Sequence, residues 1–166
     1  VSDFSYVYRV RSTDGEVYAG KVENSHTPNR DKAKQAIDNE IKQMKALEGV
    51  PCFSTCIADG TDAETQNRFF VSPLLIGANL EEILKAYGRP LPLAAVEIVF
   101  VPLLEAVAGL QKQQLAHCDI KPKNIFITQD LSVYLLDFGS ATAFDSTVKF
   151  VSRHYAAPEL LSAHDK

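Results

Sequence analysis

The chain opens on strand-like alternation and one amphipathic helix, and continues with apolar helical stretches broken by short β-branched runs. Tyr6 to Arg11 and Glu16 to Val22 alternate apolar with polar residues, and Asp14 with Gly15 supplies turn chemistry between them, which predicts an antiparallel hairpin. On its second strand Lys21 shares a face with Val17 and Ala19, so an ammonium emerges from an apolar surface. From Asp31 to Leu47 the apolar residues fall at 33, 36, 37, 41, 44 and 47, the spacing of an amphipathic helix. Glu40 lies inside that stripe, between Ile37 and Met44. A carboxylate turned inward needs a cation, and Lys21 is its expected partner.

Further along, Asn79 to Tyr87 begins with a capping asparagine and is closed by Gly88, which predicts a short helix. The apolar segment Leu91 to Leu110 is interrupted by Glu97, Pro102 and Glu105, which favours a buried helix over a membrane span. Pro102 removes a backbone donor and crowds the preceding turn, so a kink or a split is expected there. The runs Asn124 to Ile127 and Val133 to Leu136 read as two strands joined by the turn formers Thr128, Gln129 and Asp130. A hairpin of this kind brings Asn124 and Asp137 to one sheet edge, where an amide oxygen and a carboxylate form a hard-oxygen site suited to Mg²⁺.

Composition narrows the alternatives. A length of 166 residues supports a real core, and 17 basic against 21 acidic residues leave a net charge of −4, which gives no reason to expect nucleic acid or an anionic membrane surface. Cys52, Cys56 and Cys118 form no even framework and no signal peptide opens the chain, so a reduced cytoplasmic or nuclear setting is expected. Cys52 and Cys56 lack further cysteine or histidine at ligand spacing and read as buried small hydrophobes rather than metal ligands. No internal repeat or low-complexity segment is present.

Three motifs in order carry a family resemblance. HCDIKPKN (His117 to Asn124), LLDFG (Leu135 to Gly139) and YAAPE (Tyr155 to Glu159) resemble the catalytic loop, the metal-binding DFG and the APE closure of eukaryotic protein kinases, of the serine/threonine type. The spacing agrees, with 18 positions from Asp119 to Asp137, 22 from Asp137 to Glu159 and 19 from Lys21 to Glu40. The resemblance implies a two-lobed α+β fold, with residues 1–75 as a small antiparallel β lobe with one helix plus the hinge, and 76–166 as part of a helical lobe. It implies ATP and Mg²⁺, and protein substrates with serine or threonine acceptors. Asp119 is then the base for the substrate hydroxyl, Lys121 neutralises the transferring phosphoryl, and Asn124 with Asp137 holds the metal. Lys21, oriented by Glu40, takes the α and β phosphates. Val7, Ala19, Ser72, Leu74 and Leu75 join them as nucleotide-binding positions. Because Pro73 lacks an N–H, Leu74 or Leu75 supplies the hinge donor, while Ser72 guards the rear of the pocket. Ser152 stands where these enzymes place a threonine touching both Asp119 and Lys121, and His117 and His154 invite a general-base role, with His117 favoured as structural.

The departures are informative. Cys118 replaces the arginine that precedes the catalytic aspartate, so switching by phosphorylation of the activation segment is not expected, and Ser140, Thr142, Ser146 and Thr147 read as ordinary loop residues. Ser2 and Ser5 fall at glycine positions of the phosphate loop, each costing roughly 1 kcal/mol where the backbone must be left-handed, so nucleotide binding is expected to be weak. The chain ends soon after APE, which leads one to expect an unpaired Glu159 and an apolar Leu91 to Leu110 helix partly uncovered, to be met by a partner or a further segment. A catalytic serine/threonine kinase module is therefore the leading expectation, and a pseudokinase-like scaffold with weak or no turnover the alternative. A small-molecule phosphotransferase of the aminoglycoside kinase type shares the HxDxxxxN loop but not DFG followed by APE.

Overall fold

The computed structural model describes residues 4–146, 152, 154–158 and 161, and divides into two compact units. The first comprises residues 1–48 and 54–75, the second 49–53 and 76–166. Both are consistent with the α+β class expected from the motifs.

In the first unit, β1 (Ser5–Arg11) and β2 (Val17–Glu23) form the expected hairpin, with Gly15 at φ +95° in the turn. With β3 (Ala58–Thr61) and β4 (Arg68–Pro73) they make an antiparallel sheet in the order β1-β2-β4-β3. The helix α1 (Arg30–Ala46) is capped by Asn29, whose side chain accepts from the Lys32 N–H. Its apolar stripe of Ala33, Ile37, Ile41 and Met44 is buried, together with Leu47 just beyond and Phe70 of β4. Glu40 lies in the same stripe and is buried with it, as the spacing predicts.

The second unit contains α2 (Leu80–Tyr87), α3 (Leu93–Lys112), and a three-stranded sheet of β5 (Gly77–Asn79), β7 (Ile125–Thr128) and β8 (Val133–Leu135) in the order β5-β7-β8. A two-residue pair, β6 (Leu115–Ala116) with β9 (Thr142–Ala143), completes it. Asn79 and Glu82 form a reciprocal capping box at the start of α2, and Gly88 ends it at φ +66°. Residues 49–53 join this unit through the Leu135 N–H donating to the Cys52 carbonyl and the Phe53 ring set 5.3 Å from Phe138. Nothing in the short run Gly49, Val50, Pro51, Cys52, Phe53 announced that allegiance.

One expectation for the long apolar helix is corrected, and of the kink or split expected at Pro102 the split is absent. It is not a buried helix, since Leu93 is 72% exposed, Leu104 66% and Val101 54%, and only Val99, Leu103, Ala106 and Leu110 are buried. Those four recur at helical spacing and form one stripe, so a single face satisfies packing and the rest of the apolar surface is left partly uncovered. Pro102 does not split it, because the helix runs unbroken from Leu93 to Lys112. Among the described residues α3 is the one helix long and apolar enough, by length and composition, to cross a membrane.

Gly77 is required by close approach. A Cβ there would lie 2.0 Å from the Ile127 carbonyl oxygen on the neighbouring strand. Gly77→Ala is expected to destabilise the fold by about 1–3 kcal/mol through forced backbone displacement, read as a lower urea midpoint with unchanged m-value.

Candidate active site

Two clusters carry the candidate chemistry, one in each unit. In the first, β2 directs Lys21 toward α1, and its Nζ lies 2.6 Å from Glu40 Oε2 with the two side chains only 14% and 7% exposed. A pair so withdrawn from water orients the lysine rather than leaving it to solvent, because either charge alone would be costly. Val7 stands opposite Lys21 in the β1–β2 register, and Ser72 opposite Ala19 in the β2–β4 register. Cross-strand partners share a face, so these four residues occupy one side of the sheet. Val7 is 67% exposed, while Leu74 and Leu75 are half-buried and follow the end of β4, outside that register.

In the second unit, the catalytic-loop residues converge on one carboxylate. Lys121 Nζ donates to Asp119 Oδ2 at 2.7 Å and to Ser152 Oγ at 3.0 Å, and the Ser152 hydroxyl donates to Asp119 Oδ1 at 2.6 Å. Asn124 Nδ2 donates to the Asp119 carbonyl at 2.8 Å and to Oδ2 at 3.0 Å. Asp119 is thereby fixed in rotamer and direction by three side chains. A 3-10 turn, Pro122–Asn124, presents the buried Asn124, and the Leu136 N–H donating to the Asn124 carbonyl closes the hairpin, bringing Asn124 and the residue before Asp137 together.

This donor set fits a hard divalent cation. The amide nitrogen of Asn124 is committed to Asp119, so its amide oxygen is the atom that would meet a cation, with the Asp137 carboxylate as the second ligand implied by the motif. Among the described residues no three His, Cys, Asp or Glu side chains cluster as a metal site, so a cation here relies on an amide as well as a carboxylate.

His117 is structural. Its buried ring contacts the Leu136 carbonyl through Nε2 at 3.2 Å and accepts from the Asp119 N–H through Nδ1 at 3.3 Å, a pattern that fits the neutral Nε2–H tautomer. It also packs 5.1 Å from Phe138, so one imidazole links the catalytic loop to both neighbours of Asp137. Burial pushes its pKa below the usual histidine value, against the pull of Asp137, the Leu136 carbonyl and Asp119.

Cys118 and Asp137 hold left-handed backbone, at φ +64° and +69°, a strain that was not legible in the sequence. Such non-glycine positions cost about 1–3 kcal/mol each and gather where geometry serves function. Burial raises the Cys118 thiol pKa and the Asp119 charge raises it further, so it is a poor nucleophile at neutral pH. Cys52 and Cys56 are free and half-buried, with thiols likewise raised by burial. Ser2, Thr147 and Glu159 lie outside the described residues.

The first unit thus holds a lysine paired with a helix glutamate, and the second a loop organised around one aspartate. The protein kinase domain model matches residues 2–166, and the chain belongs to that family. It is 32% identical over 164 residues to human homeodomain-interacting protein kinase 4, covering 91% of this chain and 26% of that protein. It is 35% identical over 92 residues to the serine/threonine-protein kinase ppk5 of Schizosaccharomyces pombe, covering 52% of this chain and 11% of that protein. The DYRK-family kinase pom1 of the same yeast is 29% identical over 132 residues, 75% of this chain and 12% of that protein. The chain thus spans about a quarter or less of the length of these curated relatives.

The depressed His117 pKa sets a direction for stability. The unfolded chain takes up this proton near pH 6.5 and the folded chain only at lower pH, so the contribution is present above about pH 6.5 and is lost as the pH falls below it. Between about pH 7.5 and 5.5 the urea midpoint of the wild type is expected to fall more than that of His117→Gln, whose side chain does not titrate.

Proposed function

We propose that this chain carries out ATP-dependent phosphoryl transfer to serine or threonine hydroxyls of protein substrates. The observation that carries the reading is the network in which Lys121, Asn124 and Ser152 all bind the Asp119 carboxylate. A carboxylate accepts at about four lone-pair sites, so an acceptor hydroxyl can still donate to the oriented Asp119, which takes its proton as the oxygen bonds to the γ-phosphorus of ATP and the bond to the departing ADP breaks. Lys121 stays positive throughout and offsets charge on the transferring phosphoryl. Lys21, held by Glu40, binds the α and β phosphates, and Val7, Ala19, Ser72, Leu74 and Leu75 are assigned to the nucleotide. Asn124 and Asp137 would hold Mg²⁺, whose positive charge would offset that of the phosphates when bound. A surface cavity of about 300 Å³ in the second unit, lined by Lys121 and Ser152 with Glu81, Lys123, His154 and Tyr155, offers room for the acceptor segment.

Residues 1–75 and 76–166 are proposed as the two lobes of the kinase, acting in the cytoplasm or nucleus, with neither nucleic acid nor membrane as a partner. The exposed apolar residues of α3 suit coverage by a partner or further protein segment. The pseudokinase-like alternative draws on Ser5, which occupies a glycine position of the family pattern as a buried strand residue opposite Glu23.

One experiment decides between them. With Mg²⁺ and labelled ATP on a serine-rich peptide, Asp119→Ala is expected to lower transfer by roughly 10²- to 10⁴-fold. Ser152→Ala should lower it by roughly tenfold, since it removes one hydrogen bond to a charged group. Equal background rates for wild type and Asp119→Ala would establish the scaffold instead. A rise in melting temperature with Mg·ATP at about 100 times its Kd, worth about 2.7 kcal/mol, is expected for the wild type and not for Asp137→Asn.

A further inference from the structure

Glu23 is the most deeply buried charged residue among those described, with a side chain that is 0% exposed. It ends β2 two positions after Lys21 and so faces the same side of the sheet. Its Oε1 accepts from Arg30 Nε at 3.2 Å, and no hydrogen-bond partner reaches Oε2. Arg30 is the first residue of α1, where a positive charge opposes the helix dipole, so the helix itself gives no reason for a cation there. Its remaining fork turns to the turn between β3 and β4, where Nη2 meets the Thr65 and Gln66 carbonyls at 3.4 and 3.5 Å and Asn67 Oδ1 at 3.2 Å. One guanidinium therefore ties the start of α1 to β2 and to that turn.

The same helix meets the same strand a second time with the charges reversed. Arg30 on α1 pairs with Glu23 on β2, and Glu40 on α1 pairs with Lys21 on β2. A helix that slid or rotated would break both attractions and leave buried charges unmatched, so the two pairs together favour one placement. We propose that Arg30, through Glu23 and the Thr65–Asn67 turn, is a positioning residue that holds the N-terminal end of α1 and thereby keeps Glu40 against Lys21. This rests on the phosphate-binding role given to Lys21 above. Arg30 touches neither nucleotide nor acceptor in this role, and acts only through the helix.

The test is the reactivity of the Lys21 amine in the full chain toward an amine-acylating ester, read by mass spectrometry with the exposed Lys85 as internal reference. The double variant Arg30→Met/Glu23→Gln removes both charges and leaves no buried charge unpaired, so it separates positioning from simple loss of stability. At a urea midpoint close to the wild type, Lys21 acylation relative to Lys85 is expected to rise about tenfold, the change produced by about 1.4 kcal/mol of weakened positioning, with a matching rise in the Mg·ATP Kd. Should the double variant not fold, Arg30→Lys, which keeps a charge for Glu23 but not the fork toward the turn, is read in the same way, and Lys21 is again expected to react faster. An unchanged Lys21 rate in the folded variant overturns the proposal. The acylation readout needs no nucleotide, so failure of the clamp is distinguishable from failure of the kinase reading, which would show instead as wild-type phosphoryl transfer by Lys21→Ala.

Discussion

A charge taken out of water must be met by a partner of opposite sign, and this constraint decides where α1 sits in the first unit. Glu23 and Glu40 are both buried, each beside a basic side chain, and the helix and strand that carry these pairs cannot be placed independently. More exposed contacts follow the same pattern, with Arg68 of β4 between Asp38 of α1 and Asp59 of β3, and Lys45 at the end of α1 on Asp59. Exposed pairs of this kind contribute little each. The buried pairs give α1 its register on the sheet.

In the second unit the same requirement for satisfaction acts on hydrogen bonds. His117 and Asn124 are buried polar side chains: His117 meets the Asp119 N–H and the Leu136 carbonyl, and Asn124 donates to the Asp119 carbonyl and carboxylate. The left-handed residues Cys118 and Asp137 each adjoin a residue that His117 binds, so the imidazole and the aromatic contact of Phe53 with Phe138 hold the strained backbone in place. Strain is tolerated there because the surroundings leave the chain no alternative.

Much of this was legible from local chemistry. The hairpin around Gly15, the α1 stripe with Glu40 in it, the capping asparagine of α2 and its closing glycine, and the β7–β8 hairpin follow from periodicity and turn residues, which act over a few positions. The grouping of Asp119, Lys121 and Asn124 is likewise encoded within a single loop. What escaped were effects of packing between distant segments. The allegiance of residues 49–53, the pairing of β6 with β9, and the fork of Arg30 across to Asn67 join residues too far apart in sequence for any local pattern to show. The reading of α3 as buried failed because hydrophobicity states a preference for burial, while the number of neighbours available decides how much of it is met.

By itself the amino-acid order determined which segments become strands and helices, which residues carry ionisable and metal-binding groups, and which of them lie within one loop or on one face. Dihedral preference and side-chain periodicity are short-range properties, and they are written in the order of the residues. Tertiary structure alone decided that Glu23 is sealed from solvent behind Arg30, and it set the distances of the two contacts already expected, 2.6 Å from Lys21 to Glu40 and 2.6 Å from Ser152 to Asp119. Those outcomes depend on desolvation, which exists for a group only once the rest of the chain has folded around it.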